Sequence, residues 1–407
     1  MLPARRMTPR RLASVFVVLA LAACVPTVRT PLKQALPSVL GADAAAPLCY
    51  GDAGTVDVGG SVVAGTVGDI DGDGRLDLAL MVSGAGGFSV TFAMHDGNGG
   101  LKTTTGLKFP MIPTAIEATD FNSDGMLDLA IAAAPNGSGD PAVHVLLGRG
   151  RGQFIAGAVA TRIQPVGLWI ADTTGDGILD IVALDQGGSS VEVLVGDGRG
   201  EFKNGPRSGL PGKVKPEGLT LGDFDADKHV DLALLYDRGG KAEATVAVAR
   251  GDGAGDFKLS SRRVVGRTGR ALVAADFNRD GLPDLVALAD AGADGAATPI
   301  AAVLLGDGTT KFSAIAYFGP EQVGDAILDD LDGNGMPDLI ASSLRRDAIR
   351  VLPADGRGGF AQVVAVPSAQ AGRIVRTADL DGDGRPELLT FGPEAPGVAV
   401  LRPKACR

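Results

Sequence analysis

Seven short stretches of the chain place acidic side chains at a spacing that could hold a metal ion. They read DIDGDGRLD from Asp69, DFNSDGMLD from Asp120, DTTGDGILD from Asp172, DFDADKHVD from Asp223, DFNRDGLPD from Asp276, DLDGNGMPD from Asp330 and DLDGDGRPE from Asp379. Positions 1, 3, 5 and 9 offer side-chain oxygens: Asp69, Asp71, Asp73 and Asp77 in the first, and Asp120, Asn122, Asp124 and Asp128 in the second. The third offers Asp172, Thr174, Asp176 and Asp180; the fourth Asp223, Asp225, Asp227 and Asp231; the fifth Asp276, Asn278, Asp280 and Asp284. The sixth offers Asp330, Asp332, Asn334 and Asp338, and the seventh Asp379, Asp381, Asp383 and Glu387. A backbone carbonyl at position 7 would complete each set. An oxygen-only donor set around a sharp bend suits a hard cation, and Ca²⁺, which takes about six to eight such oxygens, is the expected ion. The copies allow up to seven ions, of unequal affinity. Thr174 weakens the third, and Lys228 at the glycine position makes the Asp223–Asp231 loop the weakest or empty.

The loops need elements to hold them. Their starts at 69, 120, 172, 223, 276, 330 and 379 are separated by 51, 52, 51, 53, 54 and 49 residues, a period that marks an internal repeat. In the second repeat an apolar stretch at 114–118 enters the loop and 129–133 leaves it. A third follows at 143–147, and the turn 148–152 leads to a fourth from Phe154. That turn recurs as GDGRGEF at 196, GDGAGDF at 251, GDGTTKF at 306 and DGRGGF at 355. Four short antiparallel strands per period and no helical periodicity predict an all-β fold, a seven-bladed β-propeller with four-stranded blades. Composition agrees: 45% of residues are hydrophobic, only 4% are aromatic, and 60 are glycine. Such a chain builds its core from small aliphatic side chains cut by many turns.

From Leu48 to Cys406 the repeats resemble the FG-GAP/VCBS repeats of integrin α-subunit propellers and many bacterial surface proteins. The resemblance implies that the aspartate loop, similar to a shortened EF-hand loop set on a hairpin, joins the innermost strand to the second. It also implies ligand binding at the loops opposite the calcium rim. In this register the last repeat supplies only three strands, so the N-terminal stretch 48–58 is expected to close the last blade. Cys49 would then lie on that closing strand and Cys406 just beyond its neighbour, which predicts a Cys49–Cys406 disulfide.

The N-terminus reads as an export signal. Arg5, Arg6, Arg10 and Arg11 precede an apolar run at 12–21, and Leu21-Ala22-Ala23-Cys24 follows. This is similar to a bacterial lipobox and implies cleavage before Cys24 and a diacylglycerol on its sulfur. The expected organisation is a signal peptide at 1–23, a lipidated Cys24 with a flexible tether at 24–46, and the propeller at 47–407. The expected address is the bacterial envelope, with the outer membrane favoured because Val25 is not aspartate. Removing those four arginines takes the net charge of −10 to −14, and carboxylates crowded on one rim call for counter-ions.

Catalysis has little support. His95, His144 and His229 fall in different repeats, no nucleophile or phosphate-loop pattern is present, and the chain is not expected to be an enzyme. Arg250-Gly251-Asp252 spells RGD, but it coincides with the repeated turn. The loops opposite the aspartate rim carry Arg162, Lys203, Arg207, Lys213, Lys215, Arg238, Lys241, Arg267, Arg270, Arg345, Arg346 and Arg373. Of these, Arg207, Lys213, Lys215, Arg238, Arg270, Arg345, Arg346 and Arg373 are the expected ligand face, for a protein or an anionic glycan. A sequence pI near 4.9 argues against nucleic acid. The expected role is a monomeric protein-binding, adhesion or assembly scaffold; the alternative is a glycan-binding lectin or polysaccharide lyase-like propeller.

Overall fold

The structure, a computed structural model, describes residues 48–135, 140–211, 215–237, 243–291, 298–318, 323–343, 348–367, 372–393 and 396–405. The expected signal peptide, Cys24, the tether and Cys406 lie outside them. Among the described residues every regular element is a β-strand, and no helix is long and apolar enough to cross a membrane.

Within a repeat, burial falls from the inside outward. The second strand of the second repeat, Asp128–Ala134, is buried at every residue, because neighbouring repeats cover both of its faces. Its sequence DLAIAAA explains how: small side chains let adjacent sheets approach closely. The outer strand Phe154–Ala160 is largely exposed. The apolar clusters accordingly lie between repeats, as where Ala233, Leu235 and Val246 of the fourth meet Leu272, Leu285 and Ala287 of the fifth.

The inner strands are residues 61–68 of Tyr50–Gly68, then Ile112–Thr119, Pro165–Ala171, Lys215–Gly222, Thr268–Ala275, Val323–Asp329 and Ile374–Ala378. Each packs beside the next, and the last returns to the first, so they form a closed ring of a propeller. The sheets, however, are not seven separate blades. Among the described residues there are five four-stranded antiparallel sheets and one seven-stranded sheet. The cause is the 19-residue strand Tyr50–Gly68. Its first part pairs with Pro396–Pro403, from Tyr50↔Pro403 to Val56↔Val398, and its second part pairs with Asp77–Gly84. One continuous strand thus serves the last repeat and the first, and fuses what would have been two blades.

Candidate metal centres

Each aspartate loop bridges an inner strand and the second strand of its repeat, and its own backbone organises it. The position-1 carboxylate accepts the position-5 N–H at 3.0–3.2 Å on one oxygen. On the other it accepts the position-6 N–H at 2.7–2.9 Å. The position-5 side chain accepts the position-7 N–H at 2.7–3.0 Å. This winding needs positive φ at positions 4 and 6. Glycine supplies it at Gly72 and Gly74, whereas Ala226 (φ 61°) and Lys228 (φ 73°) must adopt it in the fourth loop.

The position-9 acid does more than the spacing suggested. It is fully buried or nearly so in every repeat. One oxygen accepts the position-2 N–H at 2.7–3.0 Å in all seven loops. In the first six the other accepts an N–H from the end of the third strand, at 2.7–3.0 Å: His95, Gly148, Gly196, Gly251, Gly306 and Ala354. The acid therefore pins the loop to the third strand. That strand crosses so close that a Cβ on Gly251 would meet the Val230 carbonyl. In the seventh loop Glu387 is one methylene longer, and its Oε1 lacks a hydrogen bond, with Arg402 Nε at 3.5 Å.

The structure gathers positions 1, 3 and 9 more tightly than position 5. In the first, fourth, sixth and seventh loops one oxygen from each of these three acids lies within 4.8 Å of the others: Asp69, Asp71 and Asp77; Asp223, Asp225 and Asp231; Asp330, Asp332 and Asp338; Asp379, Asp381 and Glu387. The second, third and fifth loops carry Asn122, Thr174 and Asn278 at position 3. Two features fit a hard cation. Thr174 Oγ1 and Asp332 Oδ2, both at position 3, are buried without hydrogen-bond partners, as is Glu387 Oε1. The position-9 carboxylates are also held above their ordinary range. Burial, reinforced by neighbouring aspartates, pushes Asp128 and Asp284 up to about 6 and Asp231 and Asp338 up to about 7. A divalent ion would offset that crowding.

The rim is interlocked from repeat to repeat. The turn between third and fourth strands docks on the preceding loop: Arg151 N–H donates to the Asp71 carbonyl at 2.8 Å, Gly255 to Thr173 at 3.0 Å, Thr310 to Phe224 at 3.3 Å and Gly358 to Phe277 at 3.1 Å. Phenylalanines reinforce it, with the rings of Phe121 and Phe202 5.2 Å apart and those of Phe277 and Phe360 5.5 Å apart. The signal was present in the sequence as a recurrent Phe at loop position 2 and another ending the turn.

The three histidines have structural neighbours. His95 Nε2 lies 2.5 Å from the Leu380 carbonyl, His144 packs edge-on to Phe109, and His229 Nδ1 stands 3.5 Å from Asp227. Among the expected ligand-face residues, Lys213, Arg238, Arg345 and Arg346 lie outside the described residues, as does the side chain of Lys215. Arg207 Nε donates to Ser190 Oγ at 3.0 Å, and Arg270 and Arg373 are half-buried with contacts inside the chain. Arg162 is bound to the fully buried Glu192 at 2.5 Å. These four hold the fold together as well as carrying charge.

Sequence reasoning missed the charges buried on the inner strands. Arg376 Nη1 donates to Asp325 Oδ2 at 2.8 Å, both side chains being almost fully buried. Glu117 Oε1 is buried without a partner, and burial holds that carboxyl well above its ordinary range, with Arg376 opposing the shift. Ionisable residues inside the apolar runs IEATD and VRTAD were the available signal.

The FG-GAP-like repeat profile matches residues 69–131, 120–183, 172–234, 223–287 and 330–390. Over 68 residues, 17% of this chain, the sequence is 34% identical to integrin alpha-PS2 of Drosophila melanogaster, and the match spans 5% of that protein's length. The fold is similar to that of an Agrocybe aegerita lectin described for its specific recognition of non-reducing terminal N-acetylglucosamine. The TM-score is 0.52 at 19% identity, covering 84% of this chain and 85% of that one. The Photorhabdus luminescens Tc holotoxin pore aligns with 87% of this chain and 14% of its own, at 17% identity and a TM-score of 0.41.

Proposed function

Because the chain belongs to the FG-GAP-like repeat family, we propose that its aspartate loops hold Ca²⁺ and that the loaded propeller is a binding module rather than an enzyme. The carrying observation is the repetition of one oxygen cradle on one rim, with buried oxygens at Thr174, Asp332 and Glu387 that no hydrogen bond satisfies. Positions 1, 3 and 9 would hold the ion; its contribution is charge neutralisation and stiffening of the rim, with no bond made or broken. We read the seven-stranded sheet as two blades sharing one strand, which makes seven blades. A Cys49–Cys406 disulfide fits the same closure, since the Cys49 carbonyl accepts the Lys404 N–H at 2.8 Å. A non-reducing peptide map that lacks the linked pair would refute it.

The module is read as a lipid-anchored envelope protein that presents the loops opposite the calcium rim to a protein or an acidic glycan. A glycan-binding reading is favoured by one observation, the likeness in fold to the A. aegerita lectin. Purified protein, loaded with Ca²⁺ or stripped by chelator, is to be tested on a glycan array and as bait in envelope extracts. Calcium-dependent capture of an envelope protein without a glycan signal supports the scaffold; a defined glycan supports the lectin. Equal binding with and without Ca²⁺ counts against both.

A further inference from the structure

We infer that the fourth loop is closed by a cation of the protein itself, the Arg250 guanidinium, and takes no Ca²⁺. The inference rests on the calcium reading of the other loops.

By carboxylate geometry alone the fourth loop is as good a site as the first: Asp223, Asp225 and Asp231 gather within 4.8 Å. What differs is what already lies against them. Arg250 Nε is 2.7 Å from Asp225 Oδ2, and the Asp225 side chain is only 3% exposed. A charge-assisted bond to a carboxylate so withdrawn from water is strong, and an incoming ion must displace it to use Asp225.

The internal repeats provide the control. The strand pairings Leu78↔Ala93, Leu129↔Leu146, Ile181↔Leu194, Leu232↔Ala249, Leu285↔Leu304, Leu339↔Leu352 and Leu388↔Leu401 fix the positions equivalent to Arg250. They are Met94, Leu147, Val195, Leu305, Pro353 and Arg402. Five are apolar. Arg402, in the seventh repeat, forms a longer ion pair of 3.5 Å with the position-9 acid Glu387 and not with the position-3 acid, and its Nη2 donates to the Gly99 carbonyl at the ring closure.

The fourth loop also departs at position 6. Lys228 takes a positive φ of 73° where the other six loops have glycine, placing a second cation on the same nine residues. Two substitutions in one copy, each adding positive charge, describe a site converted from metal-held to self-held. The same contact explains why the RGD tripeptide is no free ligand: its arginine is committed to Asp225.

Native mass spectrometry of the Ca²⁺-loaded full chain counts the ions directly. The double variant R250L/K228G, which restores the residues of the second and fifth repeats, is expected to carry one ion more than the parent. R250K/K228G keeps a cation at 250 and serves as the matched, folded control; it is expected to carry the parental number. Equal counts in the parent and R250L/K228G overturn the inference, as does a parent with all seven loops loaded. A parent with no ion at all refutes the calcium reading itself, and the inference with it. In chelator R250L/K228G is expected to melt below R250K/K228G and to regain that difference on adding Ca²⁺; a deficit that Ca²⁺ leaves untouched also overturns it.

Discussion

Buried charge at the rim and buried charge at the axis are satisfied in different ways. At the rim each position-9 carboxylate is met by backbone N–H groups of its own repeat, two of them in six loops, so one local solution recurs around the ring. At the axis Arg376 and Asp325 meet as side chains of neighbouring repeats, and Glu117 Oε1 is buried with no hydrogen-bond partner. Backbone satisfaction needs no particular partner side chain, because every residue but proline supplies an N–H, and it constrains the donor only sterically, as at Gly251. At the axis the Val375 N–H also reaches Asp325, at 3.3 Å, but the countercharge comes from the Arg376 side chain.

The largest expected effect tests the axis. Arg376→Met leaves Asp325 buried without its cation and is expected to cost about 3–5 kcal/mol in urea unfolding. Adding Asp325→Asn is expected to recover most of it; full additivity of the two would break the pairing. At the rim Asp128→Ala orphans the N–H groups of Phe121 and Gly148, at an expected cost of about 2–4 kcal/mol even in chelator. A loss seen only in Ca²⁺ would mean the acid is a ligand and not a pin.

Next in size is a pH effect on the metal-free protein. Asp128 and Asp284 at about 6, and Asp231 and Asp338 at about 7, are raised in the fold. The stability they lend as neutral acids is complete below the ordinary carboxylate value and is lost as pH rises through about 6 to 7. In chelator the melting temperature is therefore expected to be higher at pH 5.5 than at pH 8, about these values. The opposite slope would contradict uncompensated crowding at the rim. The smallest effect is Lys228→Gly, which removes a side chain from a positive φ and is expected to stabilise the chelated protein by about 1 kcal/mol.

The period and the composition of the loops make the strands, their order and the acid cradle legible in the sequence. The repeat also located the N-terminal stretch beside the last repeat, and there it stopped short. Whether Tyr50–Gly68 would break into two strands or run on depends on backbone pairing at 56–61, which has no side-chain signature. The dual duty of the position-9 acid was hidden for a similar reason, since its partners are N–H groups that every sequence contains. Arg250 and Arg376 were visible as residues but not as contacts. Their partners, Asp225 and Asp325, are 25 and 51 positions away, and only the folded register brings them together.

Differential scanning calorimetry of the full chain in Ca²⁺ and in chelator at neutral pH tests the central claim most directly. If the rim is metal-held, each occupied loop adds roughly 2 to 3 kcal/mol at Ca²⁺ about a hundredfold above its dissociation constant. Chelation is then expected to lower the melting temperature by roughly 10 °C or more. Superimposable melts in the two conditions would contradict it, leaving the loops as turns held by their own backbone.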